Sequence, residues 1–583
     1  MPGTWKPLKN QPTFGASTML LLTDGTIMVQ EEAGKNWWRL SPDAKGDYIN
    51  GAWTPLSPMK NTREYFASAV MSDGRVFVAG GEYSDGGGDL KAAEMYDPVW
   101  DSWTSLPTPA GWTNIGDAPC CVLPDGRLLL GNIFTNETSI YDPVSNAWTA
   151  AAHKHDTSSE ETWTLLPDET ILNVECNNHP QTEKYLAAAD KWVNSGTTPS
   201  DLVQASSIEV GPAILLPDGR VFALGATGHT ALYTPPPLAS QPGHWTAGPD
   251  IPVDAQNRPM KAKDAPACLM PNGKVLFAAG PAGDNAGDWP FPTHFFEYDG
   301  ASISTVPNPA NYNRLVYEGR LLLIPTGQVL FANGGSDIEV YTPGGSPDED
   351  WAPEITSVPA FLRVKQTFTL HGRLLNGLSQ AVSYGDDGTM ATNYPLVRIR
   401  NLKTGHVRYA RTFDHSSMSV ATGLSIQYTH FKIPFGTDLG PSELCVVTNG
   451  ISSECERVDI GEWHLRIPIT EGLVNRLIGS LADGPLWVLG PNGPVPVPGP
   501  GDPWAENVRK QAQAAHADLL KSIKTLQSLG DEVMAHRLQS TSSLSKKGQT
   551  SLETPHPSGD RRRSGVTSKH TGAPKKNQSK KGE

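Results

Sequence analysis

The sequence contains no apolar run of roughly 18 residues, the length a bilayer-spanning helix needs. Its opening stretch, MPGTWKPLKNQPTFG, has no apolar core and no small-residue cleavage pattern, so no export signal is expected there and a cytoplasmic location is the reading. Cysteine is scarce, with 6 in 583 residues, and no pair has CxxC spacing. A thiolate zinc centre is therefore not expected. Cys445 and Cys455 flank the turn signal Asn449-Gly450 and either face each other across a hairpin or remain two buried thiols. Without an export signal, reduced thiols are the expectation. Positive charge is also in deficit, with a formal net charge of −14. The segment 541–583 is basic, so the remainder is more acidic still. An acidic body disfavours nucleic acid as the partner of the folded part.

Turn formers and aromatic residues are plentiful: 57 Gly, 50 Pro, 16 Trp, 15 Tyr and 15 Phe. Together they argue for many short strands rather than disorder. The strongest signal is a repeat. Seven segments each join two apolar runs by a tight polar turn, as in AVMSDGRVFVAGG, CVLPDGRLLLGN and ILLPDGRVFALG. The turn positions are Asp24, Asp73, Asp125, Asp168, Asp218, Asn272 and Thr326. Asp-Gly between apolar runs marks a hairpin. A Tyr-bearing third strand follows, as in MYDPVWDSW. A fourth strand then opens on Trp, as at Trp53, Trp103, Trp148, Trp192 and Trp245. Four strands at this period make a propeller blade. Trp5-Lys6-Pro7-Leu8 resembles an orphan fourth strand, which would complete the seventh blade and close the ring.

The fold class is therefore all-β: a seven-bladed kelch-type propeller over 1–350, then an immunoglobulin-like (early-set) β-sandwich over 351–460. A Pro/Gly-rich linker over 461–503 follows. Residues 504–538 show an apolar stripe at helical spacing, including Ala512, Leu519, Leu526 and Val533. That helix is expected to dock on the body or on a partner. The Ser/Lys-rich segment 539–583 reads as a disordered basic tail.

In a propeller, the start of each innermost strand lines one mouth of the central channel. Eight residues before each turn stand Ala16, Tyr65, Asp117, Glu160, Val210, Asp264 and Glu318. Four of these are acidic. Converging carboxylates raise one another's pKa and favour a cation such as calcium, a cationic ligand, or an acid–base pair. They also serve as solvated strand-entry residues or turn formers, as in the matching GDAP and KDAP segments around Asp117 and Asp264. His153 and His155 lie in the loop before the fourth hairpin, where exposed polar residues are the commoner case.

Three segments resemble the galactose oxidase family. They are REYFASAVMSDGRVF from Arg63, Val316-Tyr317-Glu318 before LLLIPTGQVLFANGG, and Tyr384–Asn393. The resemblance covers about residues 1–460 and implies a copper held by two Tyr and two His, with one Tyr bonded to a Cys. Carried over position by position, Tyr65 matches the crosslinked Tyr and Tyr317 the axial Tyr. Glu318 and Met390 stand at the two His positions, and Gly15 or Ala16 stands where the Cys belongs. Tyr83 falls at the stacking aromatic. His415 is a candidate to reach in from the sandwich. Imidazole suits copper, whereas a carboxylate and a thioether in its place do not preserve that chemistry.

The expected function is a non-oxidase propeller binding a glycan, peptide or cation at an acidic mouth covered by the sandwich domain. Its ligand residues would be Tyr65, Tyr83, Asp117, Glu160, Asp264 and Glu318. The competing readings are a variant copper oxidase using Tyr65, Tyr317 and Glu318, an acid–base enzyme, and an adaptor. Family resemblance favours the extracellular space, against the sequence reading.

Overall fold

The structure is a computed structural model. It describes residues 3–84, 87–159, 161–384 and 390–461, together with two short strands, Trp487–Gly490 and Gly493–Pro496. The chain divides into two compact units, Met1–His464 and Leu465–Glu583. In the second unit the two short strands pair as an antiparallel hairpin inside the expected linker. The expected helix 504–538, the basic tail and Glu160 lie outside the described residues.

Seven sheets form the propeller, six of them four-stranded and the sixth blade extended. The first blade shows the pattern. Strands Ala16–Leu21 and Ile27–Glu31 are almost wholly buried, while Ala52–Leu56 alternates towards solvent. The hairpin turns are set by local chemistry. Asp24 Oδ1 accepts from the Thr26 amide at 3.0 Å, Asp73 from Arg75 at 2.9 Å and Asp218 from Arg220 at 3.0 Å. The residue after each takes the left-handed conformation that glycine adopts without a Cβ penalty. In the fourth blade Glu169 occupies that position at φ 66°.

In the second to fifth blades the Tyr of the third strand packs on the Trp of the fourth. The centroid distances are 5.2 Å for Tyr96–Trp103, Tyr141–Trp148 and Tyr185–Trp192, and 5.0 Å for Tyr233–Trp245. Trp5 repeats this against Tyr341 at 4.8 Å, from strand Thr4–Pro7 paired antiparallel with Glu339–Thr342. The ring therefore closes through its first strand.

A second β-domain follows from Glu354 to Gly461, its strands forming a curled nine-stranded sheet. Leu362, Leu370, Val397, Phe431, Leu444 and Val446 fill its core. It packs against the hairpin end of the propeller. Thr412 N donates to Thr23 O at 3.1 Å, His415 N to Ser72 O at 3.1 Å and Met418 N to Pro124 O at 2.9 Å. The expectation that this domain covers the mouth is corrected, because the hairpin turns and the strand entries lie at opposite ends of a blade. Instead the domain sends strand Val382–Tyr384 along the channel. That strand pairs with the innermost strand Pro266–Leu269 of the sixth blade, and Thr162 of the fourth blade meets Ser383 at 3.2 Å.

Cys445 and Cys455 form a disulfide, which corrects the expectation of reduced thiols. The turn that separates them brings the two thiols together. Cys120, Cys121, Cys176 and Cys268 are free and buried. A loop this short contributes about 2–3 kcal/mol by restricting the unfolded chain. Reductant, or Cys455→Ala, is expected to lower the urea midpoint of the 1–464 unit accordingly, and an unchanged midpoint would mean the bond contributes nothing.

Candidate functional site

The mouth assembles from the entry to the second blade, the turn before the seventh and the tip of the threaded strand. Tyr65 meets Tyr317 edge-to-face with centroids 6.3 Å apart, and Tyr83 at 6.3 Å. Trp289 meets the other side of Tyr317 at 4.9 Å. Beneath them lies buried Arg320. Its guanidinium sits 3.8 Å from the Tyr384 ring centroid and 5.3 Å from that of Tyr65. It donates to the Tyr317 and Gly319 carbonyls at 2.8 and 3.0 Å. The Tyr384 hydroxyl donates to the same Tyr317 carbonyl at 2.6 Å. The strand threaded from the far domain thus fixes the short 3₁₀ turn Val316–Glu318 that carries Tyr317 and Glu318.

The backbone is strained here. Tyr65, Tyr83, Asp264 and Met390 all hold left-handed conformations, at φ 43°, 47°, 44° and 39°. Non-glycine residues in this region carry a cost that surrounding contacts must offset, and such residues concentrate at functional sites.

The electrostatics centre on three glutamates. Burial, with Glu32 and Glu318 nearby, pushes the Glu64 carboxyl up to about 7 although Arg320 pulls the other way. Glu318 is also raised, by burial first and by Glu32, against the pull of Arg314 and Arg320. The Arg314 guanidinium is 3.8 Å from Glu318. Burial holds the Tyr65 phenol well above its ordinary range, with Arg320 opposing and Glu32, Glu64 and Tyr317 adding to the rise. Lys263 places its ammonium 3.7 Å from the Trp289 ring centroid.

The structure brings Tyr65, Tyr83, Tyr317 and Glu318 together. Asp117 and Asp264 are only 3% and 5% exposed, so they sit behind the surface that Glu64 and Glu318 share with solvent. His415 does not reach the mouth. It is buried in the second domain, bonded to Thr429 at 2.8 Å, and burial lowers its imidazole to about 3. Glu32, Glu64, Trp289 and Arg320 escaped the sequence reading. Glu32 and Trp289 belong to loops after second strands, and Arg320 opens its innermost strand two residues beyond the one position the repeat aligned. Glu64, next to Tyr65, was the legible one.

The kelch motif is matched over residues 65–110. A galactose oxidase of Gibberella zeae is 48% identical over 61 residues, 10% of this chain and 9% of that protein. The chain is a kelch propeller with similarity to galactose oxidase. F-box/kelch-repeat protein SKIP20 of Arabidopsis thaliana is 34% identical over 98 residues, covering 16% of this propeller's chain and 23% of its own. Kelch-like protein terF of Aspergillus terreus is 31% identical over 186 residues, or 29% and 38%. The propeller therefore spans less than two fifths of each of these relatives. Among solved structures, a fungal alcohol oxidase of the AA5 family in complex with copper aligns at TM-score 0.45 and 13% identity, over 79% of this chain and all of that one.

A copper radical site does not fit the residues present. Among the described residues the donors gathered with Tyr65 and Tyr317 are carboxylates, with no imidazole. Met390 is buried at the second His position, and residues 385–389, GDDGT, contain no histidine. A Cβ on Gly15 would lie 2.5 Å from the Gly334 carbonyl oxygen, so a cysteine there requires the backbone to move.

Proposed function

We propose that this propeller binds a small hydroxyl-rich ligand, such as a sugar unit, at its mouth and does not act as a copper oxidase. The observation that carries the reading is the mixture of groups around the aromatic rings. Glu64 and Glu318 offer acceptors, and Arg314 offers a positive donor. A cationic ligand would meet like charges, and an anionic one would meet the glutamates. Hydroxyl groups both donate and accept, and the ring faces and edges of Tyr65, Tyr317 and Trp289 suit the apolar face of a sugar. The galactose oxidase relative supports a sugar, and the replaced donors support the loss of oxidation. The disulfide supports an oxidising compartment.

Titration calorimetry with galactose, glucose, N-acetylglucosamine and short oligosaccharides tests this. Trp289→Ala is expected to weaken binding at least tenfold while leaving the melting temperature nearly unchanged. Glu64 is protonated below about pH 7 and ionised above it. As an acceptor it gives tighter binding as pH rises from 6 to 8, and Glu64→Gln should flatten that dependence. Peroxide release from an alcohol by copper-loaded protein would overturn the reading, as would no saccharide binding.

A second reading has its own observation. A carboxyl near pH 7 beside other carboxylates is poised for general acid–base work. Turnover of a bound saccharide that is lost in Glu64→Gln, with affinity retained, would favour it.

A further inference from the structure

At the end of the fourth blade where its innermost strand begins lies a second cluster, separate from the aromatic mouth residues. His155 lies in the loop that precedes strand Thr162–Leu165, Glu175 directly follows strand Thr170–Val174, and Glu183 lies within Gln181–Leu186. One donor atom from each of the three lies within 4.8 Å of the other two. Lys154, wholly buried, holds Glu183 Oε1 at 2.6 Å and Glu161 at 2.9 Å, with Asp156 at 3.7 Å. Three carboxylates therefore share one ammonium. Glu183 Oε2 accepts from His155 Nδ1 at 2.7 Å.

Glu175 is the unexplained member. It is 2% exposed, and its Oε2 is buried with no hydrogen-bond partner. A buried oxygen without a partner costs its full desolvation. A cation placed between Glu175, Glu183 and His155 would supply the missing partner and offset the excess negative charge. The His155 side chain is 56% exposed, which leaves a way in and lets the ring adjust. Zinc–nitrogen and zinc–oxygen bonds of about 2.0–2.1 Å set tetrahedral donors about 3.3 Å apart. The group thus closes by small movements, chiefly of the histidine. One imidazole with two carboxylates suits zinc or its transition-metal neighbours better than calcium or magnesium, which prefer all-oxygen shells.

We propose that His155, Glu175 and Glu183 form a binding site for a divalent transition-metal ion on the fourth blade. The ion takes the place of the proton between His155 Nδ1 and Glu183, the imidazole binds as the neutral tautomer with its proton on Nε2, and water completes the coordination. Lys154 keeps Glu183 in position by holding its other oxygen.

The test is calorimetric titration of zinc chloride into the full chain after chelator treatment at pH 7.5. Wild type is expected to bind one ion that His155→Ala and Glu175→Gln each weaken at least tenfold, while His153→Ala binds as wild type. Thermal melts of the three variants without metal establish that they fold. Glu175→Gln is isosteric and His155 is exposed, so both should melt close to wild type. Absence of zinc binding by wild type, or undiminished binding by both folded variants, overturns the site. Saccharide binding at the mouth is read separately, so failure of one proposal leaves the other standing.

Discussion

Replacing Lys154 with methionine is expected to destabilise the propeller by about 3–5 kcal/mol, the usual consequence of removing one partner from a buried ion pair. Methionine retains most of the apolar stem that lies against Trp192, whose ring centroid is 5.1 Å from the ammonium. The loss is therefore electrostatic rather than steric. Burial opposes charge on Lys154, but Glu161, Glu183 and Asp156 together more than offset it and keep the ammonium protonated. Without it, Glu161 and Glu183 are buried carboxylates with no cation. The pH dependence follows from the sign of the shift. Burial pushes Glu161 up to about 8, against the pull of Lys154 and with help from Asp156 and Glu183. A carboxyl raised in the folded state contributes stability that is complete below its unfolded pKa of about 4.5. That contribution is lost as pH climbs towards 8. Methionine removes the downward pull on the Glu161 carboxyl and raises it further, so the gap between variant and wild type should be smallest near pH 5 and widen as pH rises to 8. Urea denaturation at pH 5, 6.5 and 8 measures it. A gap below 1 kcal/mol, or one independent of pH, would show that Lys154 does not neutralise this cluster.

How much of this could be read beforehand follows the range of the interactions. Six of the seven hairpins were legible because Asp or Asn accepting the amide two residues on is chemistry within one turn, and in the seventh Thr326 instead donates to the Gln328 side chain at 2.8 Å. The Tyr–Trp pairs were legible because they recur with the repeat. Even the irregular fourth hairpin, Asp168-Glu169-Thr170, could be placed, since Asp168 still accepts from Thr170 at 3.2 Å while Glu169 takes the glycine conformation. The threaded strand was not legible. Val382–Tyr384 pairs with Pro266–Leu269 across more than a hundred residues, and nothing in either segment names the other. That pairing determines which end of the propeller is open and how the Tyr317 turn is held. Tyr65 and Tyr317 were found because they lie in segments that resemble a family. Arg320 and Glu32 act through neighbours brought in from other blades, which no spacing along one blade reveals.

Closure of the ring is the other large effect. Strand Thr4–Pro7 is the only covering of the outer edge of Glu339–Thr342 among the described residues. Trp5 packs on Phe295 at 4.9 Å and Tyr341 at 4.8 Å, and its indole donates to Pro307 O at 2.7 Å on the sixth-blade side. Leu8 is 3% exposed and its amide donates to Ile338 O at 3.1 Å. Gln11 then exchanges two bonds with the Ile338 backbone, at 2.8 and 3.0 Å. Removing residues 1–8 loses the Trp and Leu packing, each on the order of 2–5 kcal/mol, together with the strand hydrogen bonds at about 1 kcal/mol apiece. The expected loss of at least 5 kcal/mol is comparable to the whole stability of many domains. It also bares a row of unpaired backbone groups, so the truncated chain should self-associate through that edge. Urea denaturation and sedimentation of the truncated protein test both parts. Adding a peptide of residues 1–11 in trans should restore the midpoint and suppress association, because it replaces the missing strand without a covalent link. A truncated chain that unfolds at the wild-type midpoint would show that the seventh blade stands with three strands, and that the first strand decorates the ring rather than closing it.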